Sequence, residues 1–251
     1  MVTGASSGIG RATVVALRDS GWEVLGVARR ADRLAQLAAE TGAEVFAADL
    51  TRQQDIDALA ERLGSDPAHS LVHIAGGALG ADRVEDGDSV QWLRMYEMNT
   101  LSAQRLVKAL LPKLRATAAA ERTHVDTLFL TSTAAQVAYP GGAGYNAAKA
   151  GESMLVQALR QELVGEPIRV IEIAPGMVHT EEFSLVRLGD RAKADAVYDN
   201  VDHPLTAADV ADVVAYSLNA PGHVNLDQVT IRPVAQAAQH LVHRGPLAPR
   251  A

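Results

Sequence analysis

The stretch Thr3-Gly4-Ala5-Ser6-Ser7-Gly8-Ile9-Gly10 decides how this 251-residue chain folds. A helical apolar pattern follows it from Arg11 to Asp19 and stops at Ser20-Gly21, and a short apolar run, Glu23–Ala28, comes next. Glycines at 4, 8 and 10 allow a tight turn, a close approach of backbone to a pyrophosphate, and close packing of the following helix. The N-terminus of that helix offers free amides and the positive end of its dipole to phosphate. A glycine-rich turn alone is only a turn. Followed by a helix and then a strand, it is a candidate dinucleotide site, with Gly4, Ser6, Ser7 and Ile9 as its contacts.

The run Glu23–Ala28 ends in Arg29-Arg30. Where such a strand end holds a free ribose 2′-hydroxyl it commonly carries a carboxylate. None is present. Arginine instead pairs with a 2′-phosphate, so Arg29 and Arg30 point to NADP(H) rather than NAD(H). Arg30 equally suits the start of an exposed helix over 31–40. The next strand, Glu44–Ala48, delivers Asp49 and Leu50, and Asp49 suits either an adenine contact or the cap of a helix over 52–63. Ser70–Ala75 is a further strand, and Ala75 and Gly76 stand at its end. After an acidic, loop-like 81–89, a helical pattern runs from Val90 to about Arg115. Asn99 is a poor helix former in its middle; such a misfit marks a functional position or a solvent-facing side chain. Pro112 is expected to kink or end this helix.

A second informative stretch is Thr131-Ser132 through Tyr145-Asn146-Ala147-Ala148-Lys149. The strand Val125–Thr131 delivers Ser132 at its carboxyl end. On a helix running to about Val164, Tyr145 and Lys149 share one face. A lysine ammonium favours the phenolate and is expected to lower the tyrosine pKa, and a tyrosine poised in that way exchanges a proton with an alcohol or carbonyl oxygen. Ser132 would hydrogen-bond the same oxygen. The strand Ile168–Ala174 leads into Pro175-Gly176-Met177-Val178-His179-Thr180, which adds Pro175, Gly176, Val178 and Thr180 to the cofactor candidates. The polar segment 181–203 has no evident place in a sheet and reads as a lid. Thr206 and Asp209 form a capping box for a helix over 207–219, Val224–Val234 reads as the last strand, and the tail 235–251 is expected on the surface. The strand–helix alternation, with candidates at strand carboxyl ends, predicts an α/β fold: one domain over 1–251, a doubly wound (Rossmann-type) parallel sheet of about seven strands with helices on both faces.

Composition sets outer limits. Apolar residues make up 48% and aromatics only 4%, so the core must be built from aliphatic side chains. The net charge of −7 and the lack of a basic run argue against nucleic acid. Without cysteine there is no disulfide, thiolate metal site or cysteine nucleophile. No run of about 18 apolar residues exists to span a membrane, and the opening residues lack the basic and apolar regions of a signal peptide. The expected location is the cytoplasm. The eight histidines are scattered; His240 and His243 stand at i,i+3, but a metal site needs more ligands, so none is expected.

Taken in order, Thr3–Gly10, Asn99, Ser132, Tyr145, Lys149 and Pro175-Gly176 resemble the short-chain dehydrogenases/reductases over nearly the whole chain. The resemblance implies that Ser132 orients the substrate oxygen and that Tyr145 is the acid/base. It implies further that Lys149 binds the nicotinamide ribose and lowers the tyrosine pKa, that Asn99 holds a relay water, and that Thr180 holds the carboxamide. Thr180–Arg187, the region of Lys193, Leu205–Asp209, His223–Val229 and Pro233–Gln236 are similar to one branch, the NADP-dependent 3-hydroxy acid (serine/allo-threonine) dehydrogenases. That implies a small-molecule substrate with a hydroxyl β to a carboxylate, Arg187 as the carboxylate's partner, and a homo-oligomer, tetramer or dimer. The alternatives are a reductase of unrelated ketones or aldehydes, or a catalytically weak cofactor-binding paralogue. Two departures stand out: His73-Ile74 replaces the family's Asn-Asn before Ala75-Gly76, and only Met1 and Val2 precede Thr3. The expectation is therefore a truncated first strand, a gap in the ladder beside it, and a natural chain that begins upstream.

Overall fold

A computed structural model describes residues 1–249 of the chain. The first half contains β1 (Val2–Thr3), α1 (Gly8–Asp19), β2 (Leu25–Ala28), α2 (Ala31–Thr41), β3 (Glu44–Ala47), α3 (Gln53–Leu63) and β4 (Ser70–His73). Then come α4 (Ser89–Tyr96), a π turn at Glu97–Leu101, α5 (Ser102–Glu121), β5 (Val125–Leu130), α6 (Ala143–Glu162) and β6 (Ile168–Pro175). The remainder is β7 (Val178–His179), α7 (Phe183–Leu188), α8 (Arg191–Ala196), β8 (Leu205–Thr206), α9 (Ala207–Asn219), β9 (Gln228–Ile231), β10 (Gln236–Ala238) and β11 (Leu241–Val242).

Seven strands form one parallel sheet in the order β3-β2-β1-β4-β5-β6-β9. The chain reverses its winding direction between β1 and β4, which opens a crevice at the carboxyl ends of these strands. Every residue of β5 and β6 is buried, as parallel strands covered on both faces require. One face is closed by Val14 and Leu17 of α1, Leu34 and Leu37 of α2, and Val210, Val214 and Leu218 of α9. The other is closed by Ile56 and Leu59 of α3, Leu106, Leu110 and Leu114 of α5, and Val156 and Leu159 of α6. In each helix these residues recur at three- and four-residue spacing, so one stripe faces the sheet.

β1 is short, yet it pairs with both neighbours: Val2 opposite Gly26 and Val72, Thr3 opposite Val27. Met1 narrows the expected gap, because its carbonyl accepts from Val72 N at 2.9 Å and its amino group donates to Ser70 O at 2.8 Å. Burial pulls that amino group's pKa down to about 6.

Four expectations are corrected. Pro112 neither kinks nor ends α5, which continues to Glu121. It lies on the exposed side, while buried Leu110, Leu114 and Ala118 carry the helix past it. The pattern from Val90 is also not one α-helix, since a π turn at Asn99 divides α4 from α5. The last strand shrinks to Gln228–Ile231. The tail is not simply surface: Ala235 and Gln236 are buried, and β10 pairs antiparallel with β11. Arg250 and Ala251, which belong to the same expectation, lie outside the described residues. Segment 181–203 holds α7 and α8, and its two stems are joined by the parallel pair β7–β8.

Candidate active site

A cleft of about 560 Å3 opens at the carboxyl edge of the sheet, a volume suited to a small-molecule or cofactor site. The glycine-rich turn forms its floor. Gly4 has φ +70°, which a side chain would strain, and a Cβ on Gly10 would lie 2.2 Å from Gly4 O. Ser7 is the N-cap of α1 but makes no side-chain cap; its Oγ accepts instead from Arg30 at 2.8 Å. The first turn of α1 carries no acidic residue, so its amides and dipole remain for an outside anion. Gly4, Ser6, Ser7 and Ile9 all line this end of the cleft. These features fit a dinucleotide.

Arg29 and Arg30 both reach the cleft, but differently. Arg29 is exposed. Arg30 serves as N-cap residue of α2, and its guanidinium also turns back onto Ser6 Oγ at 3.0 and 3.2 Å. Asp49 and Leu50 line the same cleft. Asp49 Oδ1 is already engaged by Thr51, through the amide at 3.0 Å and the hydroxyl at 2.7 Å. Burial works against the Asp49 carboxylate, but Thr51 and Arg29 hold its pKa below the ordinary value.

His73 sits at the centre of a buried hydrogen-bond network. Thr3 Oγ1 accepts from the amides of Ile74 and Ala75, both at 3.0 Å, so its single proton goes to His73 Nδ1, also at 3.0 Å. His73 is then neutral with its proton on Nε2, facing Ser102 Oγ at 3.3 Å, and Ser102 donates to Met98 O at 2.6 Å. Burial foremost, with Lys149 behind it, pushes the His73 pKa down to about 3. β1, β4 and α5 are thereby tied through one neutral ring, which presents Ala75 and Gly76 to the cleft.

Ser132, Tyr145 and Lys149 meet deeper in the cleft. Ser132 caps a 3-10 turn by accepting from Ala134 N at 3.1 Å. Tyr145 and Lys149 are both buried on one face of α6. Lys149 Nζ donates to Leu130 O at 2.9 Å and to Glu152 Oε2 at 2.7 Å, which leaves one N–H of the ammonium uncommitted. Burial opposes the lysine's charge, but Glu152 and Tyr145 leave its pKa raised, so it stays an ammonium. For Tyr145 the balance differs from the expectation. Burial raises the phenol's pKa by more than Lys149 and Ser132 lower it, so the net shift is upward.

Asn99 is fully buried rather than solvent-facing. Its Nδ2 donates to Gly77 O at 2.9 Å and Met95 O at 2.7 Å, and its Oδ1 accepts from Gly77 N at 3.1 Å. It does not line the cleft; it grips the loop after β4 from behind, and the π turn is where the helix makes room for that grip. A Cβ on Gly76 would lie 2.5 Å from Asn99 Oδ1 and 3.3 Å from Lys149 Nζ. Only glycine fits there.

Pro175, Gly176, Val178 and Thr180 complete the wall. Thr180 Oγ1 accepts from Phe183 N at 3.4 Å and so starts α7. Arg187 of α7 donates to Gly80 O, Tyr139 Oη and Gly141 O at 3.0–3.1 Å, and lies 5.8 Å from the centre of the Tyr145 ring. Two of its five N–H groups remain uncommitted.

Sequence reasoning missed several site residues. Gln236 Oε1 accepts from Met177 N at 2.7 Å and lies 2.3 Å from where a Gly176 Cβ would be. Gln239 donates to Thr133 Oγ1 at 2.6 Å. Glu152, Glu172 and Glu182 were also missed. The only available signal was a glutamate placed on an otherwise apolar strand or helix face, as at 152 and 172. No group of metal-ligating side chains occurs among the described residues.

The cleft, with its phosphate turn, its Ser–Tyr–Lys cluster and the doubly wound sheet, is that of a nicotinamide-dependent oxidoreductase. The model of the short chain dehydrogenase family matches residues 1–189, and the chain belongs to that family. An uncharacterised oxidoreductase of Mycobacterium tuberculosis (strain CDC 1551 / Oshkosh) is 48% identical over 244 residues, covering 95% of this chain and 92% of that one. Sulfoacetaldehyde reductase 2 of Chromohalobacter salexigens is 35% identical over 94% of both chains. The closed form of a serine dehydrogenase complexed with NADP+ superposes with a TM-score of 0.87 at 34% identity, over 97% of this chain and 98% of that one.

Proposed function

We propose that this oxidoreductase reduces small carbonyl compounds bearing an anionic group, and oxidises the matching alcohols, with NADP(H) as cofactor. A 3-hydroxy acid and its 3-oxo partner are the first substrates to try. The observation that carries the reading is the convergence of Ser132, Tyr145 and Lys149 on the cleft that the glycine-rich turn and Arg30 also line. Support for an anionic substrate comes from the uncommitted N–H groups of Arg187 beside Tyr145. The serine dehydrogenase and the sulfoacetaldehyde reductase, named for small substrates that carry a charged group, support it too.

When bound, the nicotinamide supplies or accepts the hydride at the carbonyl carbon. The chain's own residues manage the proton. Ser132 Oγ hydrogen-bonds the substrate oxygen, and Tyr145 Oη donates its proton to that oxygen as the carbonyl is reduced. Lys149 stabilises the phenolate left behind until it is reprotonated. A phenol with a raised pKa is protonated at neutral pH, so the proton that reduction consumes is in place there. Oxidation needs the phenolate and gains with rising pH.

Asn99 acts in this scheme by fixing the Gly76–Gly77 loop, and segment 181–203 is the lid that sets substrate choice. Exposed Val90, Leu93 and Tyr96 on α4 and Met154 on α6 support association of copies into a dimer or tetramer, which light scattering would read directly. No described helix is long and apolar enough to cross a membrane, and the cytoplasm remains the proposed location.

The test is purified protein with NADPH and a matched panel: a 3-oxo acid, sulfoacetaldehyde, and neutral aldehydes and ketones of similar size. Turnover of the anionic compounds, with KM raised selectively for them by Arg187→Ala, supports the reading. Equal turnover of the neutral compounds, with Arg187→Ala affecting both kinds alike, would favour a general ketone or aldehyde reductase. No turnover with NADPH bound would leave the cofactor-binding paralogue.

A further inference from the structure

Glu182 stands at the N-cap position of α7, beside the phosphate end of the cleft. Its carboxylate is held bidentately by Arg30, with Oε1 2.7 Å and Oε2 2.9 Å from the same terminal nitrogen, and Oε1 is 2.6 Å from Arg33. Arg30 is itself oriented by Ser6 and Ser7. Two guanidinium groups, one of them braced by two turn hydroxyls, thus hold one carboxylate that belongs to a different part of the chain, about 150 residues on by sequence number. Hydrogen bonds from Arg30 foremost, with the charge of Arg33 adding to them against the cost of burial, keep the Glu182 pKa below the usual carboxylate range, so it is ionised at neutral pH.

This donor set is also what a phosphate monoester would take, with three oxygens and nearly two charges against the carboxylate's two oxygens and one. Arg30 lies just past the strand end at which a doubly wound fold holds the adenosine ribose. We propose that Glu182 is an affinity-determining residue for the 2′-phosphorylated cofactor: its carboxylate occupies the Arg30–Arg33 anion site, and the incoming 2′-phosphate must displace it. Glu182 immediately precedes Phe183, whose ring packs 5.8 Å edge-on to Tyr145, so displacement frees the start of segment 181–203 where it covers the acid/base. The inference rests on reading the Arg29-Arg30 strand end as an NADP(H) site.

Equilibrium binding of NADPH, NADH, 2′,5′-ADP and 5′-AMP to the parent, Glu182→Gln and Glu182→Ala separates the two claims. The parent's own preference for NADPH over NADH tests the cofactor reading. The change on substitution tests only Glu182. At low salt both variants should bind NADPH and 2′,5′-ADP about 3- to 30-fold tighter, a range set by the worth of partly exposed charge pairs. NADH and 5′-AMP should stay within about twofold of the parent. Unchanged or weaker NADPH binding in both variants overturns the proposal and makes Glu182 a brace for the arginines. Equal tightening of NADPH and NADH also overturns it, because the contested anion is then the pyrophosphate.

Discussion

Among the described residues two ion pairs are buried, and they are finished to different degrees. Arg169 and Asp126, on neighbouring strands β6 and β5, are 2.6 Å apart with side chains 4% and 2% exposed. Arg169 gives its other donors to Leu218 O, Ala220 O and Val224 O, and Asp126 Oδ2 accepts from Ser70 at 2.9 Å. Lys149 and Glu152, one turn apart on α6, are 2.7 Å apart with side chains 4% and 0% exposed. Here Glu152 Oε1 has no partner, and neighbouring Glu172 keeps one oxygen unpartnered as well. The first pair fastens strands to the loop after α9. The second is left open behind Lys149, which lines the cleft with one N–H uncommitted. Burial is the same in both; what differs is whether every buried side-chain nitrogen and oxygen has a partner.

The largest effect should come from breaking the closed pair. Asp126→Ala leaves Arg169 buried without its counter-ion and should cost about 3–5 kcal/mol in denaturant unfolding. A loss below about 1 kcal/mol, as for an exposed pair, would contradict the distinction. Next, Tyr145→Phe should reduce turnover at least ~10²-fold while the melting temperature and NADPH binding hold, because the hydroxyl carries the proton and the ring carries the packing. Turnover within a few-fold of the parent would remove Tyr145 from its role.

Glu152→Gln sharpens the comparison through pH. Burial, with Glu172 adding to it and Lys149 opposing, pushes the Glu152 pKa up to about 7 from an unfolded value of 4.5. A carboxyl whose folded pKa is raised binds more protons in the native state, so its contribution lowers stability as pH rises from 4.5 to about 7. Urea unfolding across that window should show this slope in the parent and a weaker one in Glu152→Gln. The same substitution removes one of the charges that raise Tyr145, so the rise of alcohol oxidation with pH should move to lower pH. A pH–rate profile that stays in place would detach Glu152 from the proton step. The smallest effect belongs to Ser70→Ala, which takes one hydrogen bond from the closed pair and should cost about 1 kcal/mol without changing kcat.

Much of this architecture was legible because it is local. Glycines at 4, 8 and 10 define a backbone path within eight residues, and Tyr145 and Lys149 need only one helical turn to share a face. The alternation of apolar runs set the strands in order, which with short parallel crossovers leaves few topologies. The misreadings were of another kind. Pro112 looked like a stop because its effect was judged without the buried stripe that carries α5 past it. Gln236 looked like surface because nothing near it in sequence says that it returns to Met177.

The sequence by itself determined the order of elements, the phosphate turn and the acid/base pair, all of which follow from spacing over a few residues. Only the tertiary structure decided that Arg30 faces Glu182, that a neutral His73 joins Thr3 to Ser102, and that burial raises Tyr145 more than Lys149 lowers it. Each of these turns on which groups lose water and which groups meet, and neither is fixed until the chain has folded.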